Sequence, residues 1–424
     1  MQSTPAFKPA IALIPDSRAI VMLSTQEALD AVLAAARPLG RRETVDTLAA
    51  NGRVLAADVI ATLDVPPMDT SAMDGYAVRA ADLRGAETVL PVSQRIPAGH
   101  APEPLASGTA ARIFTGAPVP QGADAVVMQE QCEVRDDGSV VIRHAPAEGE
   151  FVNRQGADIR RDSVVLAAGT RLGAPALGLA ASVGIAKLEV SRRLRVAVFF
   201  TGDELTMPGE TLRAGSIYNS NRFVLRSLLE NLGCEMTDYG IVPDNLAATR
   251  AILRDAARAN DLIITSGGVS VGEEDHVKPA VEAEGRLNLW QIALKPGKPL
   301  AYGEVNRAGG ETAHFLGLPG NPVSSFVTFL LFVRPFILRL QGVADVTPRR
   351  IAMRADFTQT KADRRNEFVR ARINAHGGLD AFPNQSSAVL TSTVWGDGLI
   401  DNPPGHRIEA GQTVAFLPFS DLLY

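Results

Sequence analysis

Between residues 195 and 340 the chain alternates short apolar runs with longer amphipathic stretches, and this rhythm restricts the fold more than any other feature. Val196 to Phe200, Tyr239 to Val242, Leu262 to Thr265 and Phe315 to Leu318 read as buried strands. Asn221 to Leu232 places Leu225, Leu228, Leu229 and Leu232 on one helical face and stops at Gly233. Asn245 to Ala259 reads as a second helix with Asp244 as its N-cap. Strands alternating with helices of this length predict a parallel, doubly wound sheet. Leu318-Pro-Gly-Asn-Pro322 fits a strand-to-helix turn, with Asn321 as N-cap and Pro322 at the first helical position. Val323 to Leu340 follows as a buried core helix, short for a bilayer span and interrupted by Arg334-Pro335.

The flanking segments have a different character. Residues 1 to about 22 read as a tail, and a helix is expected to start at Ser24 or Thr25, with Glu27 behind the cap and Leu29, Val32 and Leu33 as its apolar face. Residues 65–158 are rich in turns (Pro118, Pro120, Gly122) and short β-branched runs (Val126-Val127, Val140-Val141-Ile142), as in a small β domain. In residues 343–424, Phe368 to Ile373 alternates, with Val369, Ala371 and Ile373 opposite Phe368, Arg370 and Arg372. With 424 residues, 46% hydrophobic and 21% charged, the chain has material for two to four globular domains. A net charge of -5 gives no basic bias, so no nucleic-acid partner is expected. Lys8, Pro9, Asp16 and Arg18 break the apolar N-terminal stretch, so neither a signal peptide nor a membrane segment is expected. Cys132 and Cys234 form no metal-spacing motif and fit buried thiols of a cytoplasmic protein, although one distant disulfide stays open.

Chemistry is concentrated after the Leu262 strand. It runs into Thr265-Ser-Gly-Gly-Val-Ser-Val-Gly272, a glycine-rich loop whose amides suit an anion. Glu273, Glu274 and Asp275 follow, and then Lys295-Pro-Gly-Lys298 presents two cations on a stiff turn. Amides, lysines and carboxylates together point to a phosphate-bearing substrate and a hard metal ion. Asp203 and Glu204, Asp244, and Asp275 each follow a strand, and three neighbouring strand ends converge in such a sheet, as a Mg²⁺ site requires. Asp74-Gly75 and Thr115-Gly116 read first as turns. The histidines at 100, 144, 276, 314, 376 and 406 have no metal spacing. The arginines at 349, 350, 364, 365, 370 and 372 read as a solvated face, with contact to an anion as the other reading.

Taken together, these peptides resemble the molybdopterin molybdenumtransferase family (the MoeA family, which includes the gephyrin E-domain). The resemblance is carried by Ser71-Ala-Met-Asp-Gly-Tyr-Ala-Val-Arg79, Arg112-Ile-Phe-Thr-Gly-Ala-Pro118, Asn153-Arg-Gln-Gly-Ala-Asp-Ile159 and Thr201-Gly-Asp-Glu-Leu205. Ser266-Gly-Gly-Val-Ser-Val-Gly272, Lys295-Pro-Gly-Lys-Pro299 and Leu318-Pro-Gly-Asn-Pro-Val-Ser324 continue it in order. Departures are His276 after the acid, Phe200 before Thr-Gly, and a glycine-free Asn384-Gln-Ser-Ser-Ala-Val-Leu390.

The resemblance implies an α/β multidomain chain. Residues 193–342 would be a doubly wound molybdopterin-binding domain, 65–158 an inserted β-rich domain, 22–64 with 159–192 a discontinuous N-terminal helical and extended domain, and 343–424 a C-terminal β domain. It implies an enzyme of molybdenum cofactor biosynthesis that inserts molybdate into adenylylated molybdopterin and releases AMP with Mg²⁺. A homodimer is implied, with the Ser71-containing domain of one subunit meeting the doubly wound domain of the other. The molybdopterin adenylyltransferase and apo-molybdoenzymes are the implied protein partners. Carried over by motif, Asp74, Thr115, Asp158, Glu204, Asp244 and Asp275 are the catalytic set, with Glu204, Asp244 and Asp275 as metal ligands. Ser266, Gly267, Gly268, Ser270 and Gly272 would bind the pterin phosphate, and Lys295, Lys298, Ser324, Arg365 and Ser387 the molybdate. The competing readings are a non-catalytic molybdopterin-binding scaffold and a nucleotide-cleaving hydrolase.

Overall fold

The structure is a computed structural model, and it describes residues 22–269 and 276–423. The chain divides into two compact units, one spanning Gly40–Ser191 and one formed by the chain up to Leu39 and from Arg192 onward. Each is built from mixed sheets and helices, giving an α/β multidomain protein.

The larger unit is organised by a seven-stranded sheet. Its order is Met22–Leu23, Gly285–Ile292, Pro299–Asn306, Thr312–Leu318, Leu262–Ser266, Arg195–Thr201 and Glu235–Val242. The last four run parallel, and the two central ones, Leu262–Ser266 and Arg195–Thr201, have the near-continuous apolar sequences of strands covered on both faces. Leu262, Ile263 and Ile264 are fully buried, as are Val196 and Ala197. The remainder is a correction to an all-parallel sheet: Gly285–Ile292, Pro299–Asn306 and Thr312–Leu318 form an antiparallel meander on its edge. Pro299–Asn306 follows Ile292 after a short turn, too short for a crossover helix, so it has to return antiparallel.

Helices cover this sheet. Thr25–Ala35 starts with a capping box, Ser24 accepting from the Glu27 N–H and the Glu27 carboxylate accepting from Ser24. Ala28 and Val32 are its buried residues, while Leu29 and Leu33 are only partly covered. Ser220–Asn231 is capped by Asn219 and ends where Gly233 turns to φ 69°. Asn245, not Asp244, caps Leu246–Ala259, its side chain accepting from the Ala248 N–H at 2.9 Å. Pro322–Leu340 is long and apolar enough to cross a membrane, but 94% of it is buried inside the protein. A π turn, Phe329–Val333, separates its two α segments just ahead of Pro335. Proline cannot donate to the carbonyl four residues back, and a widened turn relieves the clash with its ring.

A second sheet in this unit runs Leu294–Lys295, Asn366–Ile373, Gly398–Asn402, Thr413–Pro418 and Ile351–Arg354, with Leu379–Ala381 beside the second strand. Leu294–Lys295 pairs in parallel with Asn366 and Glu367, so the lysine turn is stitched to the C-terminal sheet. Asn366–Ile373 does not have the expected solvated face, because Phe368, Val369, Arg370 and Ala371 are all buried.

The Gly40–Ser191 unit holds a six-stranded sheet in the order Ala125–Met128, Gly75–Val78, Ala110–Ile113, Thr88–Ile96, Ser139–Ile142 and Cys132–Val134. Val126, Val127 and Val140 are fully buried in its core. Arg42–Asp46 pairs with Lys187–Ser191, and Val59–Ile60 with Val164–Leu166, beside helix Ala174–Ser182. Neither cysteine forms a disulfide, and burial pushes the Cys132 thiol up to about 11.

Candidate functional site

A cavity of about 1200 Å³ opens at the carboxyl ends of the four parallel strands. Arg195–Thr201 and Leu262–Ser266 are adjacent there, with the next parallel strands on opposite sides, so the cavity lies at the switch point of the sheet. Each strand end contributes to it: Thr201, Gly202 and Glu204 from the first, Asp244 from the second, Ser266, Gly267 and Gly268 from the third, and Pro319 and Gly320 from the fourth. Lys295 and Lys298 enter from the turn before Pro299–Asn306, and Ser324 from the helix after the fourth strand. Arg365, Gln385, Ser386 and Ser387 come from the C-terminal part of the same unit. Of the sequence-predicted residues in this unit, Ser270, Gly272 and Asp275 lie outside the described residues. Asp203 and Glu204 are both exposed, and the cavity takes in Glu204 alone of the two.

The glycine loop is built for close approach. Gly267 has φ 98°, and a Cβ there would sit 2.6 Å from the Thr201 carbonyl oxygen. Gly268 has φ 64°, and a Cβ would meet Val277 Cγ2 at 2.6 Å and Thr201 Oγ1 at 2.7 Å. Only glycine satisfies both the backbone and the packing at these positions. The Ser266 hydroxyl is taken up inside the protein: it donates to the Pro319 carbonyl at 3.0 Å and accepts from Asn221 Nδ2 at 2.8 Å.

At the cationic corner, most of the charge is already balanced. Lys295 Nζ lies 2.8 Å from Glu367 Oε1 and 3.4 Å from Asp363 Oδ2. Arg365 grips Asp363 with two hydrogen bonds of 3.0 Å, and this pairing holds the Asp363 carboxyl well below the usual carboxylate range. Lys298 is exposed and has no carboxylate within 4 Å among the described residues.

Arg370, among the six arginines read as a solvated face, is only 1% exposed. It donates to Ser392 Oγ at 3.1 Å and to the Ser386 carbonyl at 3.2 Å, while its own N–H and C=O are both bonded by Gln385. Burial pushes its guanidinium down to about 10, partly offset by Glu367. Arg370 thus fixes Gln385 and Ser386 in the cavity wall beside the sequence-predicted Ser387, a role that sequence reasoning missed. The signal present was that Arg370 shares a strand face with Phe368.

Two described carboxylates, Glu204 and Asp244, line the cavity. Glu204 folds back over Gly202, whose Cβ, were there one, would lie 2.6 Å from Glu204 Oε2. With Asn245 taking over the cap, Asp244 is released from the capping role expected of it. No group of three His, Cys, Asp or Glu side chains among the described residues forms a metal cage. Two carboxylates would suit a hard divalent cation such as Mg²⁺, which takes one or two protein carboxylates and keeps waters.

In the Gly40–Ser191 unit, Asp74 makes no local Asx turn. Its Oδ1 accepts from both the Thr115 N–H and the Thr115 hydroxyl, each at 2.8 Å, across 41 residues of sequence. These bonds, backbone first, lower the Asp74 pKa and keep it ionised. Arg112 braces the same strands, donating to the Gly75 carbonyl at 2.8 Å and stacking over Phe114. Asp158 lines a separate recess of about 660 Å³ with Arg154 and Arg160, which includes neither Asp74 nor Thr115.

Three family models match the chain in order: the MoeA N-terminal region (domain I and II) over residues 23–184, the probable molybdopterin binding domain over 197–339, and the MoeA C-terminal region (domain IV) over 352–419. A molybdopterin molybdenumtransferase of Haemophilus influenzae is 41% identical over 381 residues, 88% of this chain and 93% of that protein. Molybdopterin molybdenumtransferase 2 of Mycobacterium tuberculosis is 39% identical over 392 residues, 89% of this chain and 94% of its own. The crystal structure of a molybdopterin biosynthesis MoeA protein from Pyrococcus horikoshii aligns with TM-score 0.74 at 31% identity, covering 94% of this chain and 99% of that one. With matched models spanning nearly its whole length and relatives this similar, the chain belongs to the MoeA family, whose curated members here are named molybdopterin molybdenumtransferases.

Proposed function

We propose that this protein is a molybdopterin molybdenumtransferase that inserts molybdate into adenylylated molybdopterin, breaking the phosphoanhydride and releasing AMP. The observation that carries this reading is the cavity in which the Gly267–Gly268 loop, two carboxylates and the Lys295, Lys298 and Arg365 corner meet. The Gly267–Gly268 backbone approaches a phosphate without side-chain obstruction. Lys298, with Ser324 and Ser387, holds the molybdate oxyanion, while Lys295 and Arg365 stand behind it, already balanced by Glu367 and Asp363. Glu204 and Asp244, with Asp275, would hold Mg²⁺, which when bound neutralises pyrophosphate charge.

Asp74 stays ionised through Thr115 and orients a water whose oxygen bonds to the pterin-side phosphorus as the bridging oxygen leaves with AMP, the water's proton passing to the AMP phosphate. In this reading Asp74 and Thr115 serve the cavity of a partner subunit in a homodimer, and Asp158 belongs to the same set. The four-part division at residues 64, 158, 192 and 342 goes with it. So do a cytoplasmic location, an adenylyltransferase that supplies the substrate and apo-molybdoenzymes that receive the product.

The test is AMP release from adenylylated molybdopterin with Mg²⁺, with and without molybdate, followed by reconstitution of a molybdenum-free apo-enzyme. Molybdate-stimulated release with active cofactor is the expected result. Release indifferent to molybdate, without active cofactor, would identify a hydrolase, and binding without turnover a scaffold.

A further inference from the structure

Loops at strand ends present carbonyls as well as amides, and a carbonyl oxygen facing a phosphate repels it. In the cavity wall, the Gly320 carbonyl and the Ser266 hydroxyl oxygen meet at the Asn221 side chain, and the Pro319 carbonyl meets Ser266. Asn221 Nδ2 has two protons: one goes to Ser266 Oγ at 2.8 Å and the other to the Gly320 carbonyl at 2.8 Å. Ser266 spends its own proton on the Pro319 carbonyl at 3.0 Å. The Gly267 N–H donates to the Leu318 carbonyl at 3.1 Å. Asn221 is held in place because it lies in the first turn of helix Ser220–Asn231, whose cap is fixed by Asn219 accepting from the Arg222 N–H.

We propose that Asn221 is a positioning residue that makes these loops receptive to the phosphate of the substrate, an inference that rests on the functional reading above. By donating to Gly320 and fixing Ser266 on Pro319, it occupies the acceptors that would oppose a phosphate and locks the loops of the third and fourth parallel strands together. An aspartate of the same shape has no proton to give at neutral pH and sets a negative charge against the Gly320 carbonyl.

The experiment is calorimetric titration of AMP, with Mg²⁺, into wild type, Asn221→Ala and Asn221→Asp, alongside melting curves. Asn221→Ala should weaken AMP binding about tenfold, the loss of one or two hydrogen bonds. Asn221→Asp should weaken it further at about pH 7.5. That excess over alanine should shrink toward about pH 5 as the AMP phosphate, with a second pKa of about 6, passes from dianion to monoanion, a signature that a merely structural role lacks. Retention of wild-type affinity by both variants, or equal loss in both at every pH, overturns the inference alone. A wild type without AMP affinity overturns the functional reading and this inference with it. If Asn221→Ala does not fold, Ser266→Ala cuts the same link from the other end and should weaken AMP in the same way, and wild-type affinity there overturns the proposal.

Discussion

In the larger unit, polar side chains reach one cavity from four strand ends and from the C-terminal sheet, while in the Gly40–Ser191 unit Asp74 and Thr115 meet as a single hydrogen-bonded pair. The first arrangement is internally compensated: Glu367 and Asp363 balance Lys295 and Arg365, and Asn221 occupies the Gly320 carbonyl and the Ser266 hydroxyl oxygen. The second is open, with Thr115 exposed and Asp74 kept charged by two short bonds. In the proposed function, the contrast separates two tasks. A cavity that binds a polyanion needs its charges positioned before the ligand arrives, whereas a residue that acts on a ligand held elsewhere needs only a fixed charge and an open approach.

The comparison breaks most sharply at Asp74. Asp74→Asn should lower AMP release about a hundredfold with an unchanged melting curve, measured as single turnover at saturating substrate. Wild-type release would remove the residue from the reaction. Thr115→Val should cost about tenfold. It should also move the acid-side loss of activity to higher pH: Thr115 lowers the Asp74 pKa, so wild-type Asp74 remains ionised further down the pH scale than the variant.

A smaller effect tests the cavity side. Lys298 carries no described carboxylate partner, so Lys298→Ala should raise the molybdate concentration needed for half-maximal AMP release about tenfold and change adenylate binding much less. Equal loss for both ligands would merge the two subsites.

The smallest effect separates Asp244 from its neighbour. Asn245→Ala removes the cap of Leu246–Ala259 and should cost about 1 kcal/mol, a melting shift of about 2–4 °C, without loss of AMP release. If activity fell as well, the cap and the Asp244 cavity role would not be separable.

The strands from Val196, Leu262 and Phe315, the Ser24 cap with Glu27, and the placement of the cavity at the strand ends were all legible in the sequence. Apolar runs, capping chemistry and glycine demands are local, and a doubly wound sheet brings its strand ends together whatever the loops contain. The family motifs marked the cavity residues but not their bonds. That Asn245 caps in place of Asp244, that Arg370 is buried behind Gln385 and Ser386, and that Lys295 is held by Glu367 were decided only by tertiary structure. Adjacent Asp and Asn are equivalent caps by propensity, and an arginine in an alternating strand has no local signal of which element will cover it. The pairing of Leu294–Lys295 with Asn366 and Glu367 joins segments some seventy residues apart. Such a contact is set by how two sheets pack and not by either sequence alone, so the sequence determined the framework and its chemistry, and packing decided which charges face the ligand.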